Sequence, residues 1–295
     1  MPKIFVSQSK EIAKPVQEVF DKVRDMHGWA EWSPWMIADP ECKVTNLDDG
    51  YEWDGEICGS GSMVAIGEEP GESIDFDLSF FKPFKSCAKV KMTFAESGEG
   101  TEVTWTMDSS LPFFLFWMKK SMEGFIGMDY DRGLNMLKDL MELGEIPSKL
   151  TFIGKEPFLG LKGVGFKKEC LMDEIEEHMG TDFGKLREAF PDKPGFSSYS
   201  KWDVVKKKVS YSIGVEVDEV PAELPTGMEV IEIPACEVYS LTHTGPYRHL
   251  GNGWSAGMMH GRSKQFRHKW KIPPFELYED ENDDNPVVRI CLPCK

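Results

Sequence analysis

The sequence predicts an α+β protein of two domains: a curved antiparallel sheet closed by one long helix, then a duplicated βαββ unit. A length of 295 residues exceeds the usual span of one domain. Strand-like runs separated by turn signals fill residues 42–109 and lead into a helical stretch at 115–144. Two later segments then share one layout, a helix followed by a Pro- and Phe-led strand and a second strand. The expected limits are 1–146 for the first domain, 147–162 for a linker and 163–295 for the second.

In the first domain, residues 3–13 alternate as a strand through Ile4, Val6 and Ile12. Pro15 opens a short helix whose stripe is Val16, Val19, Phe20 and Val23. Gly28-Trp-Ala-Glu-Trp-Ser-Pro-Trp35 follows. Strands are then expected at 42–47, 51–58, 62–69, 72–80, 86–95 and 102–109. Asp48-Asp-Gly50, Glu69-Pro-Gly71 and Gly98-Glu-Gly100 supply turns between them, making sequential hairpins. In the long helix, Met118, Met122, Phe125, Met136 and Leu140 form an apolar face that must cover the sheet. Gly124, Gly127 and Gly133 each cost roughly 1 kcal/mol against alanine there, so local packing has to offset them. Asp129 and Arg132 lie one turn apart near the apolar side. They read either as an ion pair at the core's edge or as a polar clamp in a ligand cavity.

The order of these elements and the residues Val19-Phe20, Asp25, Trp29, Trp32-Ser-Pro-Trp35 and Asp39-Pro40 resemble the START/birch-allergen-like (SRPBCC) superfamily, often labelled polyketide cyclase/dehydratase. The resemblance covers residues 1–145. It implies a helix-grip fold with a deep apolar cavity between sheet and helix, and it implies no particular reaction.

The second domain opens on a weak strand at about 163–169. A helix at 171–190, Pro194-Gly-Phe-Ser-Ser-Tyr199 and a strand at 209–215 follow. The second copy has a strand at 236–243, a helix at 247–270 carrying Trp254 and Trp270, Pro274-Phe-Glu-Leu-Tyr278 and a strand at 287–292. Tyr199 and Tyr278 occupy matching places. Two such copies pack side by side, with the sheet on one face and helices on the other. Thr242-His-Thr-Gly-Pro-Tyr247, Trp254, Phe275-Glu-Leu-Tyr278 and Ile290-Cys-Leu-Pro293 resemble the gyrase-inhibitor-like family, the effector-binding domain of bacterial multidrug-responsive transcription activators. That resemblance covers about 160–295. It implies a groove between the repeats for small amphipathic molecules, often cations, with an acid at its floor, and its motif maps the acid onto Glu276.

Strand alternation supports the same residue independently. Glu276 and Tyr278 point to one face, Phe275 and Leu277 to the other. The position matched to Glu276 in the first repeat is Ser197, so a carboxylate breaks the pseudo-symmetry. A partly buried carboxylate without a partner is costly. Glu276 therefore reads as a cation receptor aided by aromatic faces or as a general base, with Tyr247, Trp254, Tyr199 and Tyr278 as walls. His243 reads as a strand residue with a hydrogen bond.

Composition narrows the partners. The net charge is −16, from 15 basic and 27 acidic residues in 1–150 and 19 and 23 in the rest. Without clustered Lys and Arg, direct nucleic-acid contact is not expected. The one basic run, Lys206-Lys-Lys208, reads as a solvated strand edge. No apolar run reaches the roughly 18–20 residues of a membrane span; the greasiest segment, 111–118, is short and ends at Lys119-Lys120. The N-terminus lacks a signal-peptide pattern, and 7 scattered cysteines suit a reducing cytoplasm. Cys291-Leu-Pro-Cys294 sits in an apolar run with no following helix, so neither redox nor zinc chemistry is expected of it. No cofactor or metal is implied. The leading expectation is a sensor or carrier for a small hydrophobic or cationic molecule, without a DNA-binding segment. Regulation would then need a protein partner or a second copy of the chain. The alternative is a hydrolase of small electrophilic, cyclopropane-bearing compounds using Glu276, as in some stand-alone relatives. Polyketide-type chemistry or a chaperone role in the first domain is a third reading.

Overall fold

The computed structural model describes residues 2–282 and 285–295 and divides into two compact units, Met1–Pro147 and Ser148–Lys295. In the first, β1 (Lys3–Ile12) turns Ile4, Val6 and Ile12 inward. Pro15 caps α1 (Val16–Arg24), which buries Val19, Phe20 and Val23. A 3-10 segment, Met26–Trp32, then feeds Trp29 and Trp32 into the core, and the Trp29 indole N–H donates to the Val23 carbonyl at 2.6 Å. The meander follows as β2 (Lys43–Leu47), β3 (Gly50–Asp54), β4 (Ser60–Glu69), β5 (Ser73–Lys82), β6 (Ser86–Ser97) and β7 (Gly100–Ser110). Its seven strands lie in the order β1-β7-β6-β5-β4-β3-β2, all antiparallel. A 3-10 turn, Phe113–Met118, leads into α2 (Lys119–Leu143), which stops at Gly144 in the left-handed conformation that glycine adopts without strain. This is the helix-grip arrangement expected. Phe125 departs from the helical pattern: it is exposed rather than on the buried face.

Rings fill the space between sheet and helix. Trp105 stacks on Tyr130 at 4.0 Å, and Trp29 and Trp32 meet Trp105 edge-on at 5.8 and 5.6 Å. This packing accounts for Gly133. A Cβ there would lie 2.8 Å from the Trp105 ring and 3.3 Å from Pro34. The helix gives up backbone entropy at this position so that it can approach the tryptophan.

The second unit is one sheet of eight strands. β8 (Lys149–Phe158) and β9 (Leu161–Leu171) precede α3 (Ile175–Ala189), then β10 (Gly195–Asp203), β11 (Lys208–Glu216) and β12 (Glu229–Ile233). β13 (Cys236–Thr244), α4 (Leu250–Arg262), β14 (Phe275–Asp280) and β15 (Val287–Cys294) complete it. The order β12-β9-β11-β10-β14-β15-β13-β8 sets the two βαββ copies back to back, joined by β10 and β14, each flanked by one added edge strand. Helices α3 and α4 cover one face; a second apolar cluster, including Phe196, Phe275, Ile231 and Ile272, lies on the other.

Two expectations are corrected. The stretch 147–162, read as a linker, contributes β8, which pairs along β13. Its proline and glycine were misleading because β8 is an edge strand, where Pro157 lacks no ladder bond that matters. Gly154, at positive φ, sits at a bulge where the partner skips from Gly154 to Phe152. The helix expected over 247–270 is a 3-10 turn at Tyr247–His249 followed by α4, which ends at Arg262. Lys264 then takes a positive φ of 69°, turning the chain away, so Trp270 lies outside the helix and is exposed. Among the described residues no helix is long and apolar enough to cross a membrane.

Replacing Gly133 by alanine should destabilise the first unit by about 1–3 kcal/mol, although alanine is the better helix former. Urea denaturation of the variant checks this. An unchanged or raised midpoint would show that the Trp105 contact is slack.

Candidate functional site

Glu276 lies on β14 directly opposite Ser197 on β10, and these are also the positions matched between the two copies. The pseudo-twofold axis of the unit therefore passes through that pair. Both are buried, Glu276 to 1% exposure. Period-two alternation turns them toward the helical face, together with Tyr199 and Tyr278. Phe196 and Leu277 point the other way, into the second cluster.

Four neutral donors converge on the carboxylate. The Ser197 hydroxyl donates to Oε2 at 2.7 Å, Tyr278 at 2.8 Å and Tyr199 at 3.0 Å. The Trp254 indole N–H donates to Oε1. A carboxylate offers about four acceptor sites, two on each oxygen; Oε2 is saturated by three donors, while Oε1 accepts only from Trp254. No Lys, Arg or His is paired with it among the described residues. Burial, followed by the adjacent Glu276 charge, pushes the Tyr199 and Tyr278 phenols well above their ordinary value. They stay neutral donors.

The walls come from both copies. Trp254 from α4 meets Tyr199 edge-on at 5.2 Å, while Phe183 from α3 meets Tyr278 edge-on at 4.9 Å. Each helix thus contacts the tyrosine of the opposite copy. Trp254 reaches the acid because α4 packs close: a Cβ on Gly253 or Gly257 would lie 2.6 or 2.5 Å from Ile290 or Leu292. Tyr247 stands at the rim, 6.2 Å from the Tyr278 ring and 45% exposed. Trp254 and Tyr199 are partly exposed, so the acid is covered by rings that themselves reach solvent. A separate hollow of about 350 Å³ opens on the opposite face of the seam, lined by Leu161, Phe196, Leu277, Glu279 and Arg289, and does not include Glu276.

The structure thus brings together Glu276, Tyr278, Tyr199, Trp254 and Tyr247. Asp129 and Arg132 belong to the first unit and are engaged there. Arg132 donates to Asp129 at 2.6 Å and to the Pro34 carbonyl at 3.1 Å, and the Trp35 indole donates to Asp129 at 3.1 Å. The pair ties the tryptophan-rich segment to α2. Nearby, the Trp32 and Trp105 indole nitrogens and the Tyr130 hydroxyl are buried without hydrogen-bond partners. Stacking keeps the Trp105 N–H from aiming at the Tyr130 oxygen, although the two rings touch.

Sequence reading missed Ser197 as a donor to the acid, although it recognised the matched position. It missed Phe183 and also Met179, whose sulfur lies 3.7 Å from the Tyr199 hydroxyl, because their spacing marks them only as helix core. It also missed that Asp39, Cys42 and Cys58 come together. Asp39 accepts from the Ile57 and Cys58 amides at 2.8 and 3.1 Å, and the two sulfurs lie 3.3 Å apart. No strand or helix period links these three positions.

Residues 3–142 match the family profile described as polyketide cyclase / dehydrase and lipid transport, and residues 162–295 match that of the GyrI-like small molecule binding domain. The chain is a fusion of these two domain types. Protein MLL2253 from Mesorhizobium loti is similar at 14% identity over 48% of this chain and 98% of that one, with a TM-score of 0.37. The Aha1 dimer protein of Colwellia psychrerythraea gives 11% identity, 48% and 98% coverage and a TM-score of 0.37. EcmrR, in a complex with DNA, gives 13% identity, 59% and 68% coverage and a TM-score of 0.41. Comparison with curated protein sequences gives no match.

His243 on β13 is fully buried against Ser148, with 3.1 Å between its Nε2 and the Ser148 hydroxyl, and its Nδ1 has no partner. Burial, with His249 adding, pushes it down to about 4. The unfolded chain, at the ordinary value of about 6.5, binds the proton more readily. Stability is therefore full above about pH 6.5 and falls as pH drops toward 4. Between pH 7 and 5 the wild type should lose about 2 kcal/mol more than His243→Gln. Urea denaturation of both proteins at the two pH values measures this, and equal losses would contradict it.

Proposed function

We propose that the second unit is a receptor for a small amphipathic cation, and that Glu276 is the charge that selects it. The supporting observation is a carboxylate buried on the pseudo-twofold axis among rings, held only by neutral donors. Buried charges are normally paired; here the local partners are dipoles, which keep the charge available to a cation. A planar or quaternary cation between Tyr199, Trp254 and Tyr247 gains ring-face attraction as well as the carboxylate's field. Oε2 is saturated by three donors while Oε1 holds only Trp254, so a cation meets the carboxylate at Oε1 or by displacing that donor. Trp254, partly exposed and alone on Oε1, is the donor that moves at least cost.

Site chemistry favours binding over the hydrolase alternative. Hydrolysis at Glu276 needs a free lone pair for water and a group that can hand over a proton. Oε1 has a lone pair for water, but the phenols beside the carboxylate, raised well above their ordinary value, are poor acids, so the proton donor is missing. In the first unit, rings fill the space between sheet and helix, so a ligand would have to part them to reach the unpaired Trp32, Trp105 and Tyr130 polar atoms. There Asp129 and Arg132 serve to hold the Trp35 segment. A sensor role would require that occupancy be transmitted to a protein partner or a second copy.

Glu276→Gln should weaken binding of a cationic dye such as rhodamine 6G at least about tenfold, the equivalent of about 1.4 kcal/mol. It should leave an anionic dye of similar size unaffected. Fluorescence anisotropy reads both, with circular dichroism to establish folding. The amide introduced by that substitution can set its own N–H against the Trp254 N–H, so Trp254→Phe serves as a second variant. It frees Oε1 and should keep or improve cation affinity. Unchanged dye binding in folded Glu276→Gln would remove Glu276 from the site.

A further inference from the structure

One end of the first unit presents large apolar side chains to solvent. The β5–β6 turn exposes Phe81 and Phe84, and the segment after β7 exposes Phe113, Phe114, Phe116 and Trp117. Phe84 is 80% exposed, Phe113 76% and Trp117 69%. Strand register brings the two segments to the same end of the sheet: Phe80 pairs with Ser86 across β5–β6, and Ala88 pairs with Ser109 across β6–β7. Scattered exposed apolar residues need no explanation, but six large rings gathered at one end do. In the Phe113–Met118 turn Leu115 packs against the core, while Phe113, Phe114, Phe116 and Trp117 stay outside it.

The charges around these rings oppose the rest of the chain. Segments 81–85 and 111–120 contain four lysines, Lys82, Lys85, Lys119 and Lys120, and no acid, in a protein of net charge −16. Lys82 pairs with Asp54 and Lys119 with Glu123. Lys85 and Lys120 have no carboxylate partner among the described residues. Exposed charges farther away than about 8 Å are largely screened at physiological salt. With Asp54 and Glu123 offsetting Lys82 and Lys119, Lys85 and Lys120 are the charges of these segments left to attract an anionic surface.

We propose that this end of the first unit docks on the surface of an anionic lipid bilayer, with the rings of 81–84 and 113–117 entering the interfacial layer and Lys85 and Lys120 facing the headgroups. Trp gains most at the headgroup boundary, where its apolar body and polar N–H are both accommodated, and Phe adds apolar area buried just below it. Nearby Lys supplies selectivity for negative lipid. The segment is too short to span, so docking is peripheral and reversible. The inference is independent of the cation site in the second unit and would stand if that site were wrong.

Sedimentation with vesicles tests it, comparing phosphatidylcholine alone with phosphatidylcholine containing phosphatidylglycerol. The full chain should bind the anionic vesicles at least about tenfold more tightly, with added salt weakening the interaction. Phe114→Ser/Trp117→Ser should abolish binding, and Lys85→Glu/Lys120→Glu should remove the preference for negative lipid. All four positions are at the surface, so the variants should fold, as circular dichroism checks. No binding to either vesicle overturns the proposal, as does equal binding to both. So does a concentration-dependent dimer, seen by analytical ultracentrifugation and lost in Phe114→Ser/Trp117→Ser, because a second copy would then own the rings.

Discussion

A carboxylate can be buried at the meeting line of two repeats only if the surrounding atoms replace the water it gives up, and here Ser197, Tyr199, Tyr278 and Trp254 do so. Each donor comes from a different constraint. Ser197 and Tyr199 are placed by β10, Tyr278 by β14, and Trp254 by an α4 that packs close through Gly253 and Gly257. Removing any one leaves a buried acceptor partly unsatisfied, which costs about 1–3 kcal/mol. The joint between β10 and β14, the tilt of α4 and the facing of both tyrosines are therefore held to one arrangement by a single group. Stability and recognition share it, since the same charge that organises the seam is what a cation would meet.

The two units handle buried polarity in contrasting ways. In the second, the carboxylate at the seam is surrounded by donors, and the one unpartnered buried side-chain polar atom among the described residues is His243 Nδ1. Asp182, fully buried, is likewise paired with Lys168 at 2.5 Å. In the first, the ion pair of Asp129 and Arg132 secures the Trp35 segment, while the indoles of Trp32 and Trp105 and the Tyr130 hydroxyl stay unpaired inside a stacked aromatic cluster. Ring packing offsets part of the cost of leaving them unpaired: Trp105 and Tyr130 gain dispersion by stacking, and Trp32 meets Trp105 edge-on, the arrangement ring quadrupoles favour.

Much of this was legible from residue order because it depends on local periodicity. The meander, the Pro15-led helix and the long closing helix follow from alternation, turn residues and helical spacing. The duplication followed from repeated proline, phenylalanine and tyrosine placements, and alternation along 275–278 was enough to set Glu276 and Tyr278 on one face. Local signals also misled where they are ambiguous. Pro157 and Gly154 read as linker residues because a strand at a sheet edge tolerates the same residues that a loop prefers. The helix end at Arg262 went unseen because Lys264 adopts a left-handed conformation that nothing in its side chain announces.

By itself the sequence determined the class of both domains, the duplicated layout and the identity of the lone acid, since each is written in period, spacing or a broken match between repeats. Tertiary structure alone decided that this acid faces Ser197 across the axis, that Trp254 caps it and that Phe183 crosses over to the other copy's tyrosine. It also decided that the hollow at the seam lies on the far face from Glu276 and that six rings collect at one end of the first sheet. Those outcomes depend on strand order, register and helix approach, which join residues distant in the chain and leave no mark in local spacing.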